Sequence, residues 1–174
     1  VSVVSNADWE VLPNGIGYIT VYSLANGGNN IFAGTYFGVY KSTNNGDEWF
    51  QTPLNNPYTV YTLLVNGNYV FAGTGSPANG VFVSTNLGSN WTQTPLNNRT
   101  VNALTISGNK IFAGTLDYGV YISSNNGATW TQSSLNNLWI TALVANGSNI
   151  FAATGGNGLY LSTNSGSNWT QTSF

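Results

Sequence analysis

Four copies of one short string limit what this chain can fold into. Ile31–Thr35 (IFAGT), Val70–Thr74 (VFAGT), Ile111–Thr115 (IFAGT) and Ile150–Thr154 (IFAAT) recur along the 174 residues. Each is followed by a glycine opening a short apolar or aromatic stretch (Gly38–Tyr40, Gly80–Phe82, Gly119–Tyr121, Gly158–Tyr160) and then by an eight-residue box ending in tryptophan. Trp9, Trp49, Trp91, Trp130 and Trp169 are 40, 42, 39 and 39 residues apart. A unit of this length buries its apolar face only against neighbouring units, and the period is that of propeller blades.

Each unit carries four runs rich in Val, Ile, Thr and aromatics, separated by Asn-Gly-type turns; in the second they are Val60–Val65, Tyr69–Thr74, Gly80–Ser84 and Trp91–Thr94. Asn, Gly and Thr interrupt any 3.6-residue apolar stripe, which disfavours helix. The expectation is an all-β chain, a β-propeller of four-stranded antiparallel blades. The boundaries expected are one domain over 1–174, with half-blade or clasp strands at 1–14 and blades at 15–54, 55–96, 97–135 and 136–174. The half-blade is read from VSVVSN and ADWEVL at the N-terminus. Closure within one chain and completion by other copies are both compatible with four and a half units.

The boxes are Ser42–Trp49 (STNNGDEW), Ser84–Trp91 (STNLGSNW), Ser123–Trp130 (SSNNGATW) and Ser162–Trp169 (STNSGSNW). Their shared positions are Ser42, Asn44, Gly46 and Trp49; Ser84, Asn86, Gly88 and Trp91; Ser123, Asn125, Gly127 and Trp130; and Ser162, Asn164, Gly166 and Trp169. This pattern resembles the Asp-box of sialidase-type (BNR) propellers, S-x-D-x-G-x-x-W, with Asn in place of the Asp. The resemblance implies a tight hairpin between third and fourth strands: Asn bonding to local N–H groups, Gly at positive φ, Trp packed between sheets. It implies a structural role for the box, not a site.

Composition removes many functions. Lys41, Arg99 and Lys110 are the only basic residues, too few for a nucleic-acid groove. The chain has no His and no Cys, so zinc sites, thiol nucleophiles and His-based triads are absent. Five carboxylates, Asp8, Glu10, Asp47, Glu48 and Asp117, are too scattered for a calcium cage or a glycosidase pair. The sialidase resemblance does not extend to activity, because that family uses several arginines and only Arg99 is present. No enzyme activity, metal or cofactor is expected. No apolar run approaches the roughly 18 residues that cross a membrane. With 24 aromatics the chain nonetheless has the material for a core.

Length variation is confined to two places. From the first strand to the second-strand Phe is 11 residues in every unit, and box Ser to Trp is 7. Phe to Ser varies (10, 13, 11, 11), as does Trp to the next first strand (12, 11, 10, 10). In a meander these two connections emerge at the same end, so one face is uniform and the other varies. Variable loops on a rigid frame commonly carry binding function. On that face the candidates are Tyr36 and Phe37, Asp117 and Tyr118, and Asn157 from the second-to-third loops, with Tyr18, Tyr58, Arg99 and Trp139 from the fourth-to-first. Such aromatics beside Asn, Asp and Arg suit a sugar or a protein partner; they suit equally the plugging of a central tunnel.

The expectation is therefore a lectin-like recognition propeller binding carbohydrate or protein through the variable face. The alternative is an assembly subunit whose N-terminal strands complete a neighbouring chain, giving self-association as an oligomer or filament. An acidic pI of 4.4 and Lys-poor, Asn/Thr/Ser/Gly-rich repeats suggest a secreted or cell-surface protein.

Overall fold

The structure, a computed structural model, describes residues 16–55, 57–75 and 77–173. Its strands form four sheets, each a meander in chain order. Blade 1 comprises β1 (Val21–Gly27), β2 (Asn30–Thr35), β3 (Gly38–Ser42) and β4 (Phe50–Asn55). Blade 2 comprises β5 (Thr59–Asn66), β6 (Tyr69–Gly75), β7 (Gly80–Ser84) and β8 (Thr92–Gln93). Blade 3 comprises β9 (Val101–Ser107), β10 (Lys110–Thr115), β11 (Val120–Ser123) and β12 (Thr131–Gln132). Blade 4 comprises β13 (Ile140–Asn146), β14 (Asn149–Thr154), β15 (Leu159–Ser162) and β16 (Thr170–Gln171). All neighbouring strands are antiparallel. The chain is an all-β propeller with four blades among the described residues, and no helix there is long and apolar enough to cross a membrane. The half-blade expected at 1–14 lies outside the described residues.

The short turns follow from local chemistry. Gly28, Gly67, Gly108 and Gly147 open two-residue hairpin loops at φ between 58° and 61°. In each box the serine hydroxyl is the hub. Ser84 Oγ accepts the Gly88 N–H at 2.8 Å and donates to Asn86 Oδ1 at 3.0 Å; Asn86 Oδ1 also accepts the Asn90 N–H at 2.9 Å. The other three boxes repeat this arrangement. The residue before the box glycine also sits at positive φ (Asn45, Leu87, Asn126, Ser165), so even Leu87 adopts a left-handed conformation there. The fourth strand of blade 2 is Thr92–Gln93, shorter than the Trp91–Thr94 expected, because Trp91 turns into the joint with blade 1.

Blades meet through three repeated joints. Phe32, Val39 and Leu54 of blade 1 pack on Val60, Leu63 and Val70 of blade 2, with Trp91 against the cluster. Phe71, Val81 and Leu96 meet Val101, Leu104 and Ile111, with Trp130. Phe112, Val120 and Leu135 meet Ile140, Ile150 and Ala152, with Trp169. Polar bonds follow the same logic. Leu63 N–H donates to Ser23 Oγ and Leu104 N–H to Thr62 Oγ1. Lys41 and Lys110 extend to the carbonyls of Leu87 and Ser165 in the following blade's box.

Strands β1, β5, β9 and β13 form the inner row, β1 packing on β5, β5 on β9 and β9 on β13. No comparable packing joins β13 to β1 among the described residues. Val60, Val101 and Ile140 are fully buried, whereas their counterpart Val21 is 41% exposed; Leu24 is 67% exposed against 7% and 8% for Leu63 and Leu104. The rear face of blade 1 is thus a joint surface with its apolar residues in solvent.

Candidate functional site

The β2–β3, β6–β7, β10–β11 and β14–β15 connections emerge at the end opposite the boxes, together with the links between blades. Each is pinned before it varies. Thr35, Thr115 and Thr154 at the ends of their strands, and Thr74 one residue before the end of its own, donate Oγ–H to the carbonyls of Gly38, Gly119, Gly158 and Gly80 at 2.8–3.0 Å. The hydroxyls of Thr35, Thr115 and Thr154 also accept N–H bonds from Phe37, Tyr118 and Asn157. From the outer strand, Gln51, Gln93, Gln132 and Gln171 donate Nε2–H to the carbonyls of Phe37, Asn79, Tyr118 and Asn157 at 2.7–2.9 Å. Loops of different sequence and length therefore share the same anchors, and their tips face solvent.

The tips differ. Tyr36 and Phe37, both exposed, meet edge to face with centroids 5.0 Å apart. At blade 3, Tyr118 is exposed and carries the Arg99 guanidinium 3.7 Å above its ring centre, a stacked cation–π pair. Arg99 Nη1 also donates to the Asn98 carbonyl at 3.0 Å. Asp117 is exposed beside this pair. At blade 4, Trp139 is 48% exposed and lies against Gly155, where a Cβ would fall 2.6 Å from Trp139 Cδ2. Only glycine there lets the indole lie so close. Asn157 is exposed on the same loop and Tyr18 is fully exposed.

Tyr58 differs from the rest. It is half-buried, its ring 4.9 Å from that of Phe82, and it packs on the joint between blades 1 and 2. Of the nine candidates the structure brings together Arg99 with Tyr118 and Tyr36 with Phe37, and leaves Tyr18, Asp117, Trp139 and Asn157 exposed singly. Residue 76, in the second-to-third loop of blade 2, lies outside the described residues. The four Gln latches escaped the sequence reading, although the recurring Trp-x-Gln after each box is a visible signal for them.

Inward of the loops, each first strand carries one extra residue: Tyr22, Tyr61, Asn102 and Thr141 fall at register shifts. Tyr22 and Tyr61 meet edge to face at 5.2 Å, and Asn102 Nδ2 donates to the Ile140 carbonyl at 3.2 Å. A separate cavity of about 330 Å³ lies between blades 3 and 4, lined by Lys110, Ile122, Ser133, Gly166 and Ser167 among others, away from the loop tips.

Residues 61–173, well over half of the chain, match the DUF6242 beta propeller domain family. The chain belongs to that family. Solved structures share the fold. An ancestral GH74 enzyme is 25% identical with a TM-score of 0.77, the match covering 98% of this chain and 26% of that one. The extracellular domain of a putative one-component system from B. thetaiotaomicron is 22% identical at a TM-score of 0.70, covering 87% and 22%. The GH74 xyloglucanase of Xanthomonas campestris is 12% identical at 0.65, covering 82% and 28%. This DUF6242 propeller therefore spans about a quarter of each of these larger chains. No curated protein matches it.

Proposed function

We propose that this propeller is a non-catalytic recognition domain that binds carbohydrate through its loop-bearing face. One observation carries this reading: a set of exposed aromatic platforms, Trp139 on Gly155 and Tyr118 under Arg99, held by a repeated latch that fixes the loops before a ligand arrives. A pre-ordered ring face stacks on the C–H face of a sugar with little further loss of entropy, while Asn157 and Asp117 offer partners for hydroxyls. Likeness to GH74 enzymes, one of them a xyloglucanase, and to the extracellular domain of a putative one-component system supports a saccharide ligand and an extracellular setting. The four Ser-Asn-Gly-Trp turns support assignment to the Asp-box type, with a structural role for the box. Among the described residues Asp117 is the one carboxylate on the loop face, which supports binding without hydrolysis.

The test is titration of the chain with xyloglucan oligosaccharides and a wider glycan panel, read by tryptophan fluorescence and calorimetry. Saturable binding that weakens at least tenfold in Trp139→Ala, with the melting temperature retained, is the expected result. A panel without any binder, or binding indifferent to Trp139 and Tyr118, would overturn the proposal.

A second reading, a subunit that is completed by another blade, is favoured by the solvent-exposed Val21 and Leu24 on the rear of blade 1.

A further inference from the structure

The three internal joints share one steric requirement. The fourth residue of IFAGT in blades 1–3 is Gly34, Gly73 or Gly114, and the next blade's inner strand lies directly on it. A Cβ built on Gly34 would fall 2.8 Å from Val60 Cγ1 and 3.0 Å from the Val60 carbonyl oxygen. On Gly73 it would fall 2.7 Å from Val101 Cγ1, and on Gly114 2.5 Å from Ile140 Cγ2 and 2.9 Å from Ile140 Cβ. These are β-branched side chains pressed against backbone, with χ1 nearly fixed, so the neighbour cannot swing away. Blade 4 breaks the pattern: its string is IFAAT, and Ala153 stands where the glycines stand.

The remainder of blade 4's forward face keeps the joint's apolar character. Phe151 occupies the position of the buried Phe32, Phe71 and Phe112, and is only half-buried; Val144 is 59% exposed. At the opposite end, blade 1 offers the complementary Val21 and Leu24 to solvent. A second copy's Val21 would therefore be drawn to this face, and in the joint geometry used three times inside the chain it would meet the Ala153 methyl.

We propose that Ala153 caps the blade array. Its methyl fills the seat that Val60, Val101 and Ile140 take over glycine, and so bars the exposed rear face of a second copy's blade 1 from docking on blade 4. The two outermost described blades are then unlike: blade 1 presents Val21 and Leu24 to solvent, and blade 4 a face blocked at Ala153. This polarity suppresses the head-to-tail association that a heterologous pair of matching faces otherwise invites. It stands independently of the carbohydrate reading.

The experiment is the solution mass by light scattering, from micromolar to near-millimolar chain, for wild type and Ala153→Gly, with circular dichroism to verify folding. Wild type is expected at the 18.5 kDa of one chain. Ala153→Gly is expected to associate as concentration rises. Adding Leu24→Asp or Val144→Asp to it should each abolish association. Mixing those two double variants should restore a heterodimer, since one retains a free blade 4 face and the other a free blade 1 face. Gly73→Ala provides a second, association-independent readout: the internal joint should lose several degrees of melting temperature. The proposal is overturned if Ala153→Gly stays at one chain mass, if wild type already associates in a way that Leu24→Asp abolishes, or if Gly73→Ala melts like wild type.

Discussion

Trp130 Nε1 donates a hydrogen bond to Thr94 Oγ1 at 3.2 Å across the joint between blades 2 and 3. One blade earlier the same two positions hold Trp91 and Thr52, and there both polar atoms are buried without a partner. One blade later Trp169 Nε1 is again unpartnered, and the Thr position is Ser133, whose hydroxyl is engaged with the backbone of Leu135. A single joint design thus appears in three states of polar satisfaction, which makes the worth of the bond measurable within one molecule. Thr94→Val is expected to cost about 1–3 kcal/mol, because it strands a buried indole N–H, whereas Thr52→Val at the unsatisfied joint should be neutral or stabilising. Urea denaturation of the two variants gives the comparison; equal losses would refute it.

Apolar burial should follow the same joint-by-joint pattern. Phe71 is fully buried between blades 2 and 3, while Phe151 has no following blade among the described residues. Phe71→Ala should lose about 3–5 kcal/mol of stability, and Phe151→Ala less than half of that. Similar losses would mean that the forward face of blade 4 is covered in solution.

The boxes allow a test of charge. Asn86 uses only Oδ1, accepting from Ser84 and Asn90, so Asn86→Asp keeps both bonds and strengthens them. Asn44 also uses Nδ2, donating to Glu48 Oε2 at 3.3 Å, and Asn44→Asp replaces that bond with two facing carboxylates. The expectation is a melting temperature raised by a few degrees for Asn86→Asp and lowered for Asn44→Asp at pH 7. The sign with pH follows. Hydrogen bonds to the carboxylate at position 86 in the variant lower its folded pKa below the unfolded value of about 3.9. The gain is therefore present above about pH 4 and lost as pH falls through the folded value. Melting curves at pH 7 and pH 3 decide it.

Arg99 and Tyr118 should be coupled. A double-mutant cycle with Arg99→Ala and Tyr118→Ala is expected to give about 1 kcal/mol of interaction energy, the worth of a half-exposed cation–π pair. A value near zero would mean that the guanidinium does not hold the ring in solution.

The propeller was legible from the chain alone because a 39–42-residue period with four short strands per unit admits few alternatives. The loop-bearing end was legible from length variation. What escaped depended on contacts that form only once the strands are paired and packed. Leu87 at φ 52° is invisible to residue preference, since nothing about leucine suggests a left-handed turn; the box hydrogen bonds impose it. Tyr58 looks like a loop aromatic in sequence, yet at the entry to blade 2 its ring packs against Phe82 of that blade's third strand. Arg99 and Tyr118 are 19 residues apart and meet because β9 and β10 are antiparallel neighbours, which sets the entry to β9 beside the β10–β11 loop. The Gly-to-Ala change at 153 was on view in the sequence, but its meaning required knowing which side chain lies on Gly34, Gly73 and Gly114.

Because each blade packs on the next and no inner-strand packing of that kind links β13 back to β1 among the described residues, cooperativity among these four blades runs along a line. Amide protons of β5, β6, β9 and β10, flanked on both sides, should exchange most slowly. Those of β1 and β13 should exchange through partial openings that leave the middle intact. Frayed outer blades would then be the first points of proteolytic entry, with the central pair persisting as the last folded remnant.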